Sequence, residues 1–103
     1  MKLNLYNDNE LILSLNGKLD GNKAIFDNII YDLDNKVFIN EDETYKYIID
    51  FNKNEAIVEL KEYQKNLSLK VDDVVSKTFK DKHIINYRIE SEEGILKTIE
   101  IIF

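Results

Sequence analysis

The chain has 103 residues, a formal net charge of −6 from 20 acidic and 14 basic groups, and no Cys, Trp or Pro. The missing Cys excludes disulfides, thiolate catalysis and sulfur metal sites, and the acidic balance makes nucleic acid and anionic membranes poor partners. With 44% hydrophobic and 33% charged residues, and no apolar run near the ~18 residues of a membrane span, residues 1–103 read as one soluble globular domain.

An acidic surface of this kind can also imitate nucleic acid and occupy a basic cleft on another protein. Met1 and Lys2 lead straight into patterned sequence with no export-type apolar stretch, so the expected location is the cytoplasm. For the same reason the glycosylation sequon Asn66-Leu67-Ser68 carries no weight. The richness in Ile, Lys and Asn is that of an AT-rich bacterial or phage genome, which lowers the significance of any single Asn or Lys.

In chain order the first strand is Leu3–Tyr6, followed by Leu11, Leu13, Leu15 and Leu19 alternating with Ile12, Ser14, Asn16 and Lys18. That alternation predicts a strand with one apolar face. Asp20-Gly21 supplies a hairpin signal; with those two as the central turn residues, Leu19 would face Asn22, Gly17 would face Ala24, Leu15 would face Phe26 and Lys18 would face Lys23. Further strands are expected at Ile29–Leu33, Val37–Asn40, Tyr45–Phe51, Leu67–Val71, Ile84–Ile89 and Ile95–Ile102, separated by turns at Asp34-Asn35, Asn52-Lys53-Asn54, Gln64-Lys65-Asn66 and Glu93-Gly94. Residues 54–65 fit both helical spacing and strand alternation; strand is preferred because Glu55 and Glu59 would repel one turn apart in a helix. Asp72–Lys82 reads as a long loop or a single helical turn. The pattern therefore predicts an all-β fold, an antiparallel meander barrel or strongly curved sheet with room for one short helix. The alternative is α+β, with a helix at 54–65.

The succession "AIVELKEYQKNLSLKVDDVV", a spacer and "HIINYRIESEEGILKTIEI" resembles the C-terminal half of a family of small bacterial proteins of unknown function typified by YwiB. The resemblance rests on Leu60 and Tyr63, on Leu67-Ser68-Leu69-Lys70-Val71, on Asn86-Tyr87-Arg88-Ile89 and on Ile99-Glu100-Ile101. It implies a calycin-like β-barrel and supplies no activity.

Little of the sequence points to catalysis. The single His83 has no recognisable nucleophile or orienting acid beside it and reads as an exposed strand-end histidine. Asp32, Asp34 and Glu41-Asp42-Glu43 have something of a calcium loop, but the sixth position from Asp32 is Val37 where that loop needs Gly. They fit a solvated acidic rim better, and Glu90-Ser91-Glu92-Glu93 reads as a polar hairpin tip. Arg88, the only Arg, falls on the more polar face of its strand and is expected in a surface ion pair, with ligand contact as the alternative.

Tyr45, Tyr47, Ile49 and Phe51 share one strand face, and Gly17, Ala24 and Ala56 are small residues on expected inward faces. A non-enzymatic barrel binding a small, partly apolar molecule through Tyr45, Tyr47, Tyr87 and Arg88 is one expectation. The other is a protein-interaction module, or a homodimer, using its acidic rim or an edge strand such as Leu3–Tyr6 or the C-terminal "IEIIF". No catalytic residue, metal or cofactor is assigned.

Overall fold

The computed structural model describes residues 1–92 and 94–103. The chain is all-β: β1 (Lys2–Asn7), β2 (Glu10–Asn16), β3 (Lys18–Asp20), β4 (Lys23–Phe26), β5 (Ile29–Asp32), β6 (Val37–Glu41), β7 (Tyr45–Asp50), β8 (Glu55–Leu60), β9 (Lys65–Thr78), β10 (Lys82–Ile89) and β11 (Lys97–Ile102), with one 3-10 turn at Glu90–Glu92. The strand preference for 54–65 holds, since β8 alternates buried Ala56 with its partly exposed neighbours. Of the expected Glu93-Gly94 turn and the acidic hairpin tip, Glu93 lies outside the described residues.

The strands form one antiparallel sheet in the order β2-β1-β11-β10-β9-β8-β7-β6-β5-β4-β3. From β3 to β11 this is a pure meander, with β1 inserted between β11 and β2. The two ends of that order, β2 and β3, are joined by Gly17 alone, so the sheet curls into a nearly closed barrel. Leu3–Tyr6 and the C-terminal "IEII" are therefore not edges. They pair with each other, Leu3 opposite Ile101 and Leu5 opposite Ile99.

The chain turns a corner at two places. β9 pairs with β8 through Lys65–Lys70 and with β10 through Val71–Thr78. Between these halves, Asp73 at φ 54° marks a bulge that bends the strand from one pairing to the other. Asp72–Lys82 is thus mostly strand rather than loop or helix, because β10 supplies a ladder partner that no local pattern announces.

The second corner is Gly17, whose N–H donates to the Met1 carbonyl at 2.9 Å. A Cβ at this position would collide with the Ile25 carbonyl oxygen and the Phe26 ring, whose Cε1 would lie at 2.8 Å. Only glycine lets the backbone pass that close.

The β3–β4 hairpin is offset by one residue from expectation. Asp20 pairs with Lys23, Leu19 with Ala24 and Lys18 with Ile25, so the central turn residues are Gly21-Asn22. Of that pair only Gly21, at φ 60°, has positive φ, the pattern of a turn with glycine at its first central position. This register spares Asp20 a left-handed conformation and separates Lys18 from Lys23. Three four-residue connections, after β5, β7 and β8, each end on a left-handed residue: Lys36 at 56°, Asn54 at 53° and Gln64 at 48°. Lys65 and Asn66, expected in a turn, instead begin β9.

Acidic side chains tie down several of these turns. Asp32 Oδ1 accepts from the Asp34 and Asn35 amides at 3.1 and 3.0 Å, and Asp50 Oδ1 accepts from the Asn52 amide at 3.0 Å. Asp42 Oδ1 accepts from the Thr44 and Tyr45 amides at 2.8 and 2.9 Å and from the Thr44 hydroxyl at 2.8 Å. These bonds favour the ionised form and hold the Asp32 and Asp42 carboxyls below the usual range.

The barrel interior is filled. Leu3, Ala24, Phe26, Ile49, Ala56 and Ile101 are fully buried, and Ile29, Ile85 and Ile99 nearly so. Phe51 and Tyr87 meet edge to face at 5.2 Å, a favoured aromatic geometry. Gly17, Ala24 and Ala56 therefore admit larger neighbours rather than leaving the centre hollow. Of the leucines of β2 only Leu15 packs against the core; Leu11 and Leu13 are exposed, as are Ile12 and Leu19. Alternation predicts one buried face, but β2 and β3 are the ends of the sheet and lack a neighbouring strand on one side.

Candidate functional site

The four residues singled out in the sequence separate into three places. Tyr47 and Tyr87 come together at one barrel end, in a cleft of about 120 Å³ shared with Leu5, Ile12, Phe38 and Lys97. Tyr45 lines a different cleft of about 380 Å³ with Val58, Leu60 and Tyr63. Arg88 is on the outside, its Nε 3.6 Å from Asp73 Oδ2, as expected for a surface ion pair. Tyr47 and Lys97 also border a second opening of about 280 Å³ with Val58, Leu69 and Ile89. Each space is open and shallow because the layer beneath it is packed.

At the opposite end, the turn after β5, β9, β10 and Phe103 frame a cleft of about 230 Å³ lined by Leu33, Lys36, Ser76, Thr78, His83 and Phe103. His83 was expected to be exposed but is buried at 9% exposure. The alternation of β10 turns it inward with Ile85, Tyr87 and Ile89, and its Nδ1 lies 2.9 Å from Thr78 Oγ1. Burial first, and the Lys36 charge second, push its pKa down, so the ring is held neutral. Next to it, ring centroids 6.0 Å apart, is Tyr31.

The outer surface shows the largest difference between the two halves of the barrel. On the β1–β11 side it is polar and hydrogen-bonded: Asn4 Nδ2 and the Tyr6 hydroxyl donate to Glu100 Oε1 at 2.9 and 3.2 Å, and the Ser14 hydroxyl donates to Asn4 Oδ1 at 2.7 Å. On the β4–β8 side, Ile25, Ile30, Ile39, Ile48 and Ile57 stand directly opposite one another on five successive strands. At ~4.8 Å per strand the row is roughly 19 Å long. All five are half-buried, on the face opposite the core residues Ala24, Tyr31, Phe38, Ile49 and Ala56.

Charged rows flank the isoleucines. One runs Lys23, Asp32, Val37, Asp50, Glu55, Lys70 across the strands; the other runs Glu41, Lys46, Glu59, Asn66. Sequence reasoning missed this row, although its signal was present: Ile30, Ile39, Ile48 and Ile57 recur every nine residues. In a meander of short strands and short turns that spacing returns a residue to the same height on the same face.

Among the described residues no set of three or more His, Cys, Asp or Glu side chains is arranged to hold a metal ion, and no helix is long and apolar enough to cross a membrane. No family model, no curated protein and no solved structure matches the chain.

Proposed function

We propose that the protein is a non-enzymatic interaction module that docks another protein on the outer face of β4–β8. The isoleucine row carries this reading: an apolar stripe bordered by polar rows is the anatomy of a protein interface. Both rims mix positive and negative side chains. Nucleic acid and anionic lipid would be met by cations alone, so mixed rims suit a protein surface with an aliphatic strip and charges of both signs. Leu11, Ile12 and Leu13 on the edge strand β2 are exposed apolar side chains as well. The polar network on the opposite side has its groups satisfied internally and offers no comparable surface.

The test is native mass spectrometry of protein isolated gently from its host, alongside the double substitution Ile39→Lys/Ile48→Lys and the edge substitution Leu11→Lys. A stoichiometric protein companion that is lost with the double substitution, while the far-UV spectrum is unchanged, supports docking on the row. A companion retained by the double substitution, or a bare monomer at tens of micromolar, defeats it.

A second reading is favoured by the cleft shared by Tyr47 and Tyr87: binding of a small, partly apolar molecule at the barrel end. The packed interior confines such a ligand to the opening, with Leu5 and Phe38 as apolar walls and the phenols and Lys97 as polar groups. A non-covalent mass of a few hundred daltons, lost on Tyr47→Ala, would favour it over protein docking.

A further inference from the structure

The end of the barrel that holds His83 contains a buried polar group that the fold itself leaves unused. Tyr31 is 1% exposed and its hydroxyl has no hydrogen-bond partner among the described residues. A buried hydroxyl without a partner is costly, and native proteins usually satisfy it. The Tyr31 ring lies beside that of His83, and His83 lines the cleft together with Leu33, Lys36, Ser76, Thr78 and Phe103.

The polar side chains in and beside this cleft can each donate a hydrogen bond. His83 Nδ1 is 2.9 Å from Thr78 Oγ1; in the tautomer in which the Thr78 hydroxyl donates to Nδ1, the ring offers Nε2–H as a donor. The Tyr31 hydroxyl is a donor that stays protonated, burial and the Asp32 charge having pushed its pKa up to about 12. Ser76 adds a hydroxyl, Lys36 adds an ammonium, and no Asp or Glu side chain lines the cleft. Lys36 is the charged side chain in this lining, while the Leu33 and Phe103 side chains provide apolar walls.

We propose that this cleft binds a small organic carboxylate, its anionic group held by His83, Tyr31 and Lys36 and its short apolar tail placed against Leu33 and Phe103. The fit rests on the unpartnered Tyr31 hydroxyl next to His83, the Lys36 ammonium and a space of about 230 Å³. It is independent of docking on the outer isoleucine row.

His83 is the only histidine, so its ring resonances report on the site without ambiguity. The protein is titrated with butyrate and benzoate, and in parallel with the neutral butyramide and benzamide, while the His83 ring is followed by NMR. The expected result is a saturable shift with the carboxylates only, together with a rise in the His83 pKa as the bound anion favours the imidazolium. Tyr31→Phe should weaken carboxylate binding about tenfold, the loss of one hydrogen bond to a charged group. Lys36→Gln, at an exposed position, should also weaken it and provides a second readout if Tyr31→Phe perturbs the fold. Shifts that do not saturate, equal shifts with the amides, or unchanged affinity in both variants would overturn the proposal and leave the Tyr31 hydroxyl to a buried water.

Discussion

Replacing Gly17 by alanine tests how the barrel closes. The added methyl would overlap the Ile25 carbonyl oxygen and the ring of Phe26. That carbonyl belongs to β4, whose Ile25 pairs with Lys18, so it can retreat only by loosening the β3–β4 ladder; the ring is in the packed core. Overpacking costs about 1–3 kcal/mol, and a backbone obstacle places Gly17→Ala near the upper limit, about 3 kcal/mol. At ~4–8 °C per kcal/mol for a domain of this size, the thermal midpoint should fall by roughly 12–24 °C.

The assay is thermal and urea unfolding followed by far-UV circular dichroism. Gly21→Ala is the control: its Cβ meets nothing within 4 Å, so only the positive φ of 60° is penalised, about 1–2 kcal/mol. Because the obstruction includes a carbonyl oxygen as well as the ring, Phe26→Leu should not rescue Gly17→Ala. A midpoint within about 4 °C of the parent protein, or full rescue by Phe26→Leu, would refute the reasoning that β2 and β3 are held to the sheet through this contact.

Phe26→Ala should cost about 3–5 kcal/mol in urea unfolding, because the fully buried ring cannot be replaced by collapse of its neighbours. Ile39→Thr removes aliphatic pairing with Ile30 and Ile48 and should lower stability by only about 1 kcal/mol, leaving its effect on partner binding separable. Arg88→Gln should change stability by no more than about 1 kcal/mol, since its ion pair with Asp73 is exposed. For His83, the folded-state pKa lies below the ordinary 6.5, so the unfolded chain takes up the proton more readily. Stability should therefore be lost as pH falls below about 6.5 towards the folded value; His83→Gln should abolish that slope in midpoints measured between about pH 5 and 7. The depressed carboxyls of Asp32, Glu41 and Asp42 act lower, with stability lost as pH falls below their ordinary values of 3.8, 4.5 and 3.8.

Much of the strand content was legible because alternation is local. Tyr87 and Ile89 turning inward, Arg88 turning outward and Ala56 marking β8 as a strand all follow from a period of two. Turn chemistry was partly legible too, although the β3–β4 register hinged on which neighbour of Gly21 entered the turn. The candidate sites were less so. Tyr47 and Tyr87 were named together, but Tyr45 faces another cleft, His83 proved buried, and the isoleucine row required knowing how consecutive hairpins align.

The sequence by itself determined which residues alternate, where the chain reverses, and that no thiol or disulfide chemistry is available. Only the tertiary structure decided which strands end the sheet. That decision moved Leu11 and Leu13 of β2 out to solvent while Leu15 packs against the core, drew Leu3 and Ile101 together across the whole chain, and extended β9 through residues that have little local pattern. Alternation gives each side chain one of two faces; barrel closure, set by which distant strands pair, decides whether a face is covered.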